Sequence, residues 1–290
     1  LLFVNPYSGT KKGLVFAEHA KTFLIAQKIN FKEIISDYVG HFSEVILKTD
    51  LVNFDLLVII GGDGTMSEIV NSIFQKTDSQ HPPLLLLPAG GGNALNHDLE
   101  SLDFAKTLQK IKKPNFQKID IIKLSSEAKI YYSFNIVGWG LVSEITKSSE
   151  KLRFLGGLRY FLAAIIHIFK NPKHKAKIFI DNKEYSGNFC FAFFSNTKFT
   201  GKSMKMSPLA SLTDGKIDMV LVHHQPFWKL LSIFPKIFDG SHINAKEVIY
   251  IQSDKAKLES EVSQLVVDGE SIFTSPFKVE IIPQALKIII

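Results

Sequence analysis

Cysteine is almost missing from this 290-residue chain. The single thiol, Cys190, excludes an internal disulfide framework and suits a reducing, cytoplasmic compartment. Arginine is nearly as scarce. Of 34 cationic residues only Arg153 and Arg159 are arginines. No apolar run reaches the roughly 18 residues of a spanning helix; Phe161 to Phe169 comes nearest, and His167 interrupts it. Low-complexity tracts and internal repeats are absent. The GxxxxGK[ST] and GxGxxG signatures are absent too, so a nucleotide bound here sits in a different cradle. A net charge of +6 is mild and dispersed. It suits nucleotides or an anionic membrane surface, and with no recognised nucleic-acid module it gives no support to a DNA or RNA partner. The chain opens in a strand without a methionine, which leaves an upstream signal open.

Apolar residues make up 46% of the chain and phenylalanine alone numbers 24, enough for two modest domains or one large one. The first 120 or so residues alternate strand and helix patterns. Leu1 to Asn5, Phe31 to Ser36, Phe54 to Ile60 and Leu84 to Leu87 read as strands. Leu14 to Lys28, Phe42 to Lys48, Met66 to Phe74 and segments of Asn93 to Ile111 read as helices. Such alternation predicts a parallel sheet covered by helices, with ligands at the carboxyl ends of its strands. After Asp120 short strand patterns joined by turns predict an antiparallel sandwich or sheet, interrupted by helices near Glu150 to Phe169 and Phe227 to Phe238. The expected division is 1–121 and 122–283.

Three loops rich in small residues fall at the predicted strand ends: Asn5 to Thr10, Gly61-Gly62-Asp63-Gly64-Thr65, and Pro88-Ala89-Gly90-Gly91-Gly92-Asn93. Glycines at a strand-to-helix junction let a phosphate approach free N–H groups and the positive end of a helix dipole. Asp63 repels phosphate, so its expected part is through a proton or a magnesium ion. Arg153 and Arg159 lie six residues apart, ~240° around a helix, so Gly156-Gly157 is expected to bend the segment between them. Arginine where lysine serves everywhere else points to bidentate phosphate binding. Asp268-Gly269-Glu270 has two readings, a carboxylate pair for general base chemistry or a plain hairpin turn, and spacing alone favours the turn. The same holds for Thr213-Asp214-Gly215 and for Asp120. His223-His224 has no ligand partners at zinc spacing.

Together these motifs resemble the diacylglycerol kinase catalytic family, which includes bacterial diacylglycerol kinases, sphingosine kinases and ceramide kinases. The matching segments are Asn5-Pro6 with Ser8-Gly9, Gly61 to Thr65 with Glu68 and Asn71, and Pro88 to Leu95. Gly138-Trp139-Gly140, Glu150 to Tyr160, Ser207-Pro208 through Asp214-Gly215, and Asp268 to Glu270 follow in family order. The resemblance implies an amino-terminal α/β domain of the phosphofructokinase and NAD kinase type, and a carboxyl-terminal β-sandwich that holds a lipid. Residues 284–290 are expected to return to the first domain. The implied reaction moves the γ-phosphoryl group of ATP to a lipid hydroxyl with Mg2+.

Site roles follow from the same resemblance. Asn5, Ser8, Gly9, Gly61, Gly62, Gly64, Thr65, Gly90, Gly91, Gly92, Asn93, Arg153, Arg159 and Glu270 would hold ATP. Asp63 or Asp268 would be the base, and Asp63, Asp120 and Asp214 an acidic network around the metal. Long-chain-base kinases carry an Asp that reads the lipid amine where this chain has Thr146; Glu144 nearby is the candidate substitute. A lipid substrate implies a peripheral membrane surface, with Phe227 to Phe238 and the lysines from Lys170 to Lys177 as candidate contacts, each equally readable as core helix and solvated loop. A homodimer is compatible. Two competing readings are a soluble NAD kinase-like enzyme and a non-catalytic nucleotide or lipid sensor.

Overall fold

The computed structural model describes residues 1–290 except 77–79, 128, 153–158, 202–203, 263 and 274, and omits the side chains of 10, 150, 159, 160 and 273 as well. The chain forms two compact units, one of residues 1–119 with 284–290 and one of residues 120–283.

The first unit is a parallel sheet wrapped by helices. In chain order it holds β1 (Leu2–Val4), α1 (Ser8–Lys11), α2 (Gly13–Ala26), β2 (Glu33–Ile35), α3 (His41–Lys48), β3 (Leu57–Gly61), α4 (Asp63–Gln75), β4 (Leu84–Pro88), α5 (Ala94–Asp98) and α6 (Phe104–Gln109). β5 (Phe116–Ser125) then leads out of it. The strands stand in the order β2, β1, β3, β4, all parallel. The returning segment 284–290 adds a fifth parallel neighbour, with Ile288 beside Leu84. β1, β3 and β4 are buried along their whole length, and their unbroken apolar sequences suit strands covered on both faces. Edge strand β2 is only half-buried.

Helix α4 packs Met66, Ile69, Val70 and Ile73 inward, each burial contributing roughly 1.5–3 kcal/mol. It starts at Asp63, three residues before the expected Met66. Gly62 is extended at the N-cap and Asp63 occupies the first turn, where a carboxylate favours the helix dipole. Helix α2 buries Gly13, Ala17, Ala20 and Leu24. Its small residues let it come close: a Cβ on Gly13 would lie 2.0 Å from the Asn5 carbonyl oxygen.

The second unit is an antiparallel β-sandwich with helices on one side. It contains β6 (Ile130–Ser133), β7 (Ile136–Gly140), α7 (Leu141–Lys151), α8 (Arg159–Lys170), β8 (His174–Ile180), β9 (Lys183–Ser195), β10 (Ile217–His223), α9 (Phe227–Ile233), β11 (Val248–Ser253), β12 (Lys255–Ser260), β13 (Gln264–Val267), β14 (Glu270–Phe273) and β15 (Phe277–Ile289), whose end reaches back into the first unit. Strand order is β14-β13-β7-β9-β8-β12-β15, with β10 between β9 and β11. Alternation along β9 feeds two cores. Phe189, Ala192 and Phe194 join the sandwich interior with Trp139, Ile178, Met219 and Phe277. Cys190, Phe191 and Phe193 face the helices.

β12 and β14 escaped the sequence reading, β6 and β7 stand where one strand over Ile130 to Val137 is expected, and most of α7 precedes the helix expected near Glu150 to Phe169. Lys175 and Lys177, grouped above with a loop, alternate with buried Ala176 and Ile178 on β8. The helical pattern at Phe227 to Phe238 is α9 followed by a 3-10 turn over Phe234–Ile237. The expected bend at Gly156-Gly157 lies outside the described residues. Among those described, no helix is long and apolar enough to cross a membrane.

Candidate active site

In the first unit the loops after β1, β3 and β4 meet backbone to backbone. A Cβ on Gly90 would lie 2.4 Å from Gly62 Cα, and one on Gly62 would lie 2.9 Å from Gly90 Cα. Gly9 stands at φ +56°, and a Cβ there would lie 2.3 Å from the Ala89 carbonyl oxygen. Only glycine meets both demands. Side chains then fasten the loops. Asn5 Nδ2 donates to Thr65 Oγ1 at 2.9 Å. Asn93 Oδ1 accepts the Gly90 N–H, and Asn93 Nδ2 donates to the Gly90 carbonyl, both at 3.0 Å. Gly61 passes against buried Thr65, and the Ala89 N–H donates to the Gly61 carbonyl at 3.0 Å. Ser8 is buried at the start of α1, and Gly92 continues the third loop.

Gly64 and Gly91 serve no such packing. Nothing lies within 4 Å of where a Cβ would stand, and neither has a positive φ. The fold therefore does not require glycine at either position. Bare backbone facing open space beside the amino end of α4 fits the close approach of a phosphate.

Asp63 has a task that the sequence reading did not foresee. Its Oδ1 accepts the Ala94 N–H at 2.8 Å, so the carboxylate ties the third loop and the start of α5 to the second loop. Burial pushes its pKa up to about 6, against the lowering influence of the Ala94, Leu95 and Asn93 N–H groups. Glu68, one turn along α4, accepts the Ser43 N–H at 3.1 Å and fastens α3.

In the second unit Asp268-Gly269 is a two-residue hairpin turn between β13 and β14, with φ +50° and +95°. The turn reading is thus correct for the backbone, but the Asp268 side chain points inward and is 4% exposed. Oδ1 accepts the Ser133 hydroxyl at 2.5 Å, the Ile136 N–H at 2.9 Å and the Asn135 N–H at 3.2 Å; Oδ2 accepts the Phe134 N–H at 3.3 Å. Burial outweighs these donors and raises the Asp268 pKa to about 7. Glu270 is exposed at the start of β14.

Asp120 is fully buried and accepts the Gly215 N–H at 2.7 Å, while Asp214 accepts the Lys216 N–H at 3.1 Å. Both shape the loop before β10. Among the described residues no three His, Cys, Asp or Glu side chains gather as a metal site.

Glu144 stands between two histidines, 3.1 Å from His167 Nδ1 and 3.3 Å from His174 Nε2. His174 and His167 hold its pKa below the usual carboxylate value, against desolvation. Ser148 lies 2.6 Å from His167 Nε2. Thr146 is buried, and its hydroxyl donates to the Val142 carbonyl at 3.0 Å. Arg153 and the Arg159 side chain lie outside the description.

Comparisons with known proteins agree with this arrangement. Residues 1–124 match the diacylglycerol kinase catalytic domain model. Residues 135–290, over half of the chain, match the model of the YegS C-terminal NAD kinase beta sandwich-like domain. The chain is 28% identical to a diacylglycerol kinase of Bacillus subtilis, over 80% of this chain and 76% of that one. It is 24% identical to sphingosine kinase 1 of Arabidopsis thaliana, over 95% of this chain and 67% of that one. A crystal structure of a diacylglycerol kinase from Bacillus anthracis superposes with TM-score 0.81 at 20% identity, covering 99% and 95% of the two chains. An NAD kinase-like α/β domain followed by a β-sandwich, with glycine loops at the ends of three parallel strands, places this chain in the YegS-like lineage of the diacylglycerol kinase catalytic family.

Proposed function

We propose that this chain is a lipid kinase that transfers the γ-phosphoryl group of ATP to a lipid hydroxyl. The observation that carries the reading is the convergence of three glycine-bearing loops, two of them tied together by Asp63, with Gly64 and Gly91 presenting bare backbone to open space. Oriented N–H groups stabilise phosphate charge without covalent chemistry, which is most of what phosphoryl transfer asks of a protein. Asn5, Ser8, Thr65 and Asn93 would line the nucleotide side, with Arg153 and Arg159 as further phosphate ligands and Glu270 near the nucleotide. Magnesium would supply charge neutralisation between the β- and γ-phosphates. Asp63 would be its protein contact, with Asp120 and Asp214 as the further acids that the resemblance implies.

A general base works best when its pKa lies near the operating pH, and burial brings both Asp63 and Asp268 into that range. Which carboxylate takes the hydroxyl proton is readable from pH profiles. If it is Asp63, the acidic limb of kcat/KM falls near pH 6; if Asp268, near pH 7. Asp63→Asn and Asp268→Asn should each lower kcat by about 10²–10⁴-fold if the altered residue is the base. Near-wild-type turnover in both variants would end the proposal.

For the acceptor, an uncharged lipid of the diacylglycerol type is favoured over a sphingoid base. Glu144 already faces His167 and His174, and Thr146 has no charge to offer an ammonium. A panel of diacylglycerol, ceramide, sphingosine and NAD assayed with labelled ATP tests this. Sphingosine turning over faster than diacylglycerol would overturn the acceptor assignment, and labelling of NAD alone would overturn the lipid kinase.

A further inference from the structure

A serine, a histidine and a glutamate stand in series between α7 and α8. Glu144 and Ser148 are four residues apart, which puts both on one face of α7. His167 of α8 reaches both. Its Nδ1 lies 3.1 Å from Glu144 Oε2, and its Nε2 lies 2.6 Å from Ser148 Oγ. His174 Nε2, 3.3 Å from the other Glu144 oxygen, leaves Oε2 to His167.

The position of one hydrogen follows. His174 and His167 hold the Glu144 pKa below the usual carboxylate value, so at neutral pH the group is ionised and can only accept. In the neutral His167 ring the hydrogen then sits on Nδ1. Nε2 keeps its lone pair, and the Ser148 hydroxyl donates to it. A hydroxyl bound to an imidazole lone pair, with the ring oriented from behind by a carboxylate, is the arrangement that makes a serine nucleophilic.

The surroundings favour one chemistry. His167 is 6% exposed while Ser148 is half-buried, so the base is shielded and the serine is not sealed off. Ile145, Ala164 and Ile168, each within three residues of a member of the series, share one apolar cluster, which suits an acyl chain. Lys151 follows Ser148 by three residues on the same helix face and is exposed. A cation there would meet the oxyanion of an acyl transfer.

We propose that Ser148, His167 and Glu144 form an acyl-transfer centre that cleaves carboxylic esters with an apolar acyl group. Ser148 Oγ is the nucleophile, His167 Nε2 the general base, and Glu144 a positioning residue. Oγ bonds to the acyl carbon as its proton passes to Nε2. The bond from that carbon to the alcohol oxygen then breaks, and Nε2 gives the proton to the departing alcohol. Water, deprotonated by the same nitrogen, releases the acid and restores the hydroxyl. Neither ATP nor the glycine loops take part, so the centre stands or falls apart from phosphoryl transfer.

The test treats the full chain with p-nitrophenyl acetate and butyrate at pH 8. Nitrophenolate release should fall about 10²-fold in Ser148→Ala and in His167→Gln, and peptide mass mapping of acid-quenched protein should find the acyl group on Ser148. Butyrate should show the higher kcat/KM; the reverse order would overturn the apolar acyl assignment. Nitrogen-15 NMR of the His167 ring, assigned through His167→Gln, adds a readout that packing alone would not move. The parent should show the Nδ1–H tautomer. Glu144→Gln, whose amide can donate to Nδ1, should shift the ring towards Nε2–H and lose acylation of Ser148. Release unchanged in Ser148→Ala, acyl groups on lysines alone, or an Nε2–H tautomer in the parent overturns the proposal. Should Ser148→Ala fail to fold, the acylated site mapped on the unaltered protein decides alone.

Discussion

At the scale of single residues, the two buried carboxylates carry a cost in stability. An acid whose folded pKa is raised stays protonated in the folded chain after the unfolded chain has ionised. Its contribution to stability is therefore lost as pH rises, from the model-peptide value of 3.8 to about 6 for Asp63 and about 7 for Asp268. Asp63→Asn and Asp268→Asn keep an oxygen to accept the Ala94 N–H and the Ser133 hydroxyl. Each variant should thus match the parent near pH 4 and exceed it at pH 8, by a few kcal/mol at most, while turnover falls. Urea titrations at the two pH values measure this, and a variant less stable than the parent at pH 8 refutes it. The glycines separate in the same way. Gly90→Ala forces a Cβ against Gly62 and should cost roughly 1–3 kcal/mol. Gly91→Ala meets nothing, so it should leave the unfolding midpoint unchanged and raise KM for ATP about tenfold. Equal KM in Gly91→Ala and the parent would mean that no phosphate comes near that loop.

At the scale of elements, legibility followed locality. β3 and β4 could be read because unbroken apolar runs end in glycine or proline, and both neighbours in the sheet demand such runs. β12 could not: Lys255-Ala256-Lys257-Leu258-Glu259-Ser260 alternates correctly, but one of its inward residues is only alanine, so the pattern is faint. The loops at the strand ends were legible as a set, whereas the inward aim of Asp268 depends on donors at 133–136, more than 130 residues away. Glu144 likewise means little until α8 and β8 bring His167 and His174 to it. That cluster ties α7 to two other elements. Glu144 has a depressed pKa, so its contribution is present above the model-peptide value of 4.5 and is lost as pH falls through its folded value. Glu144→Gln should therefore unfold a few degrees below the parent at pH 7, and the gap should narrow as pH falls below 4.5. A gap that widens in acid would show the pairing to be unimportant. Thermal scans at several pH values provide the measurement.

At the scale of the whole molecule, the first unit is assembled from both ends of the sequence. Leu286, Ile288 and Ile289 are at most 4% exposed, and their burial contributes roughly 4.5–9 kcal/mol, comparable to the net stability of a typical domain. Residues 1–119 expressed alone should lack a cooperative unfolding transition. Joining 284–290 to them through a short Gly/Ser linker should restore it; a cooperative transition in the unjoined fragment would show the last strand to be dispensable. During synthesis the consequence is one of timing. The flank of β4 that receives Ile288 stays without its neighbour while more than 160 further residues are translated. An open strand edge of that kind invites pairing with other nascent chains, so a ribosome-bound chaperone that shields it until residues 284–290 emerge should raise the yield of native protein.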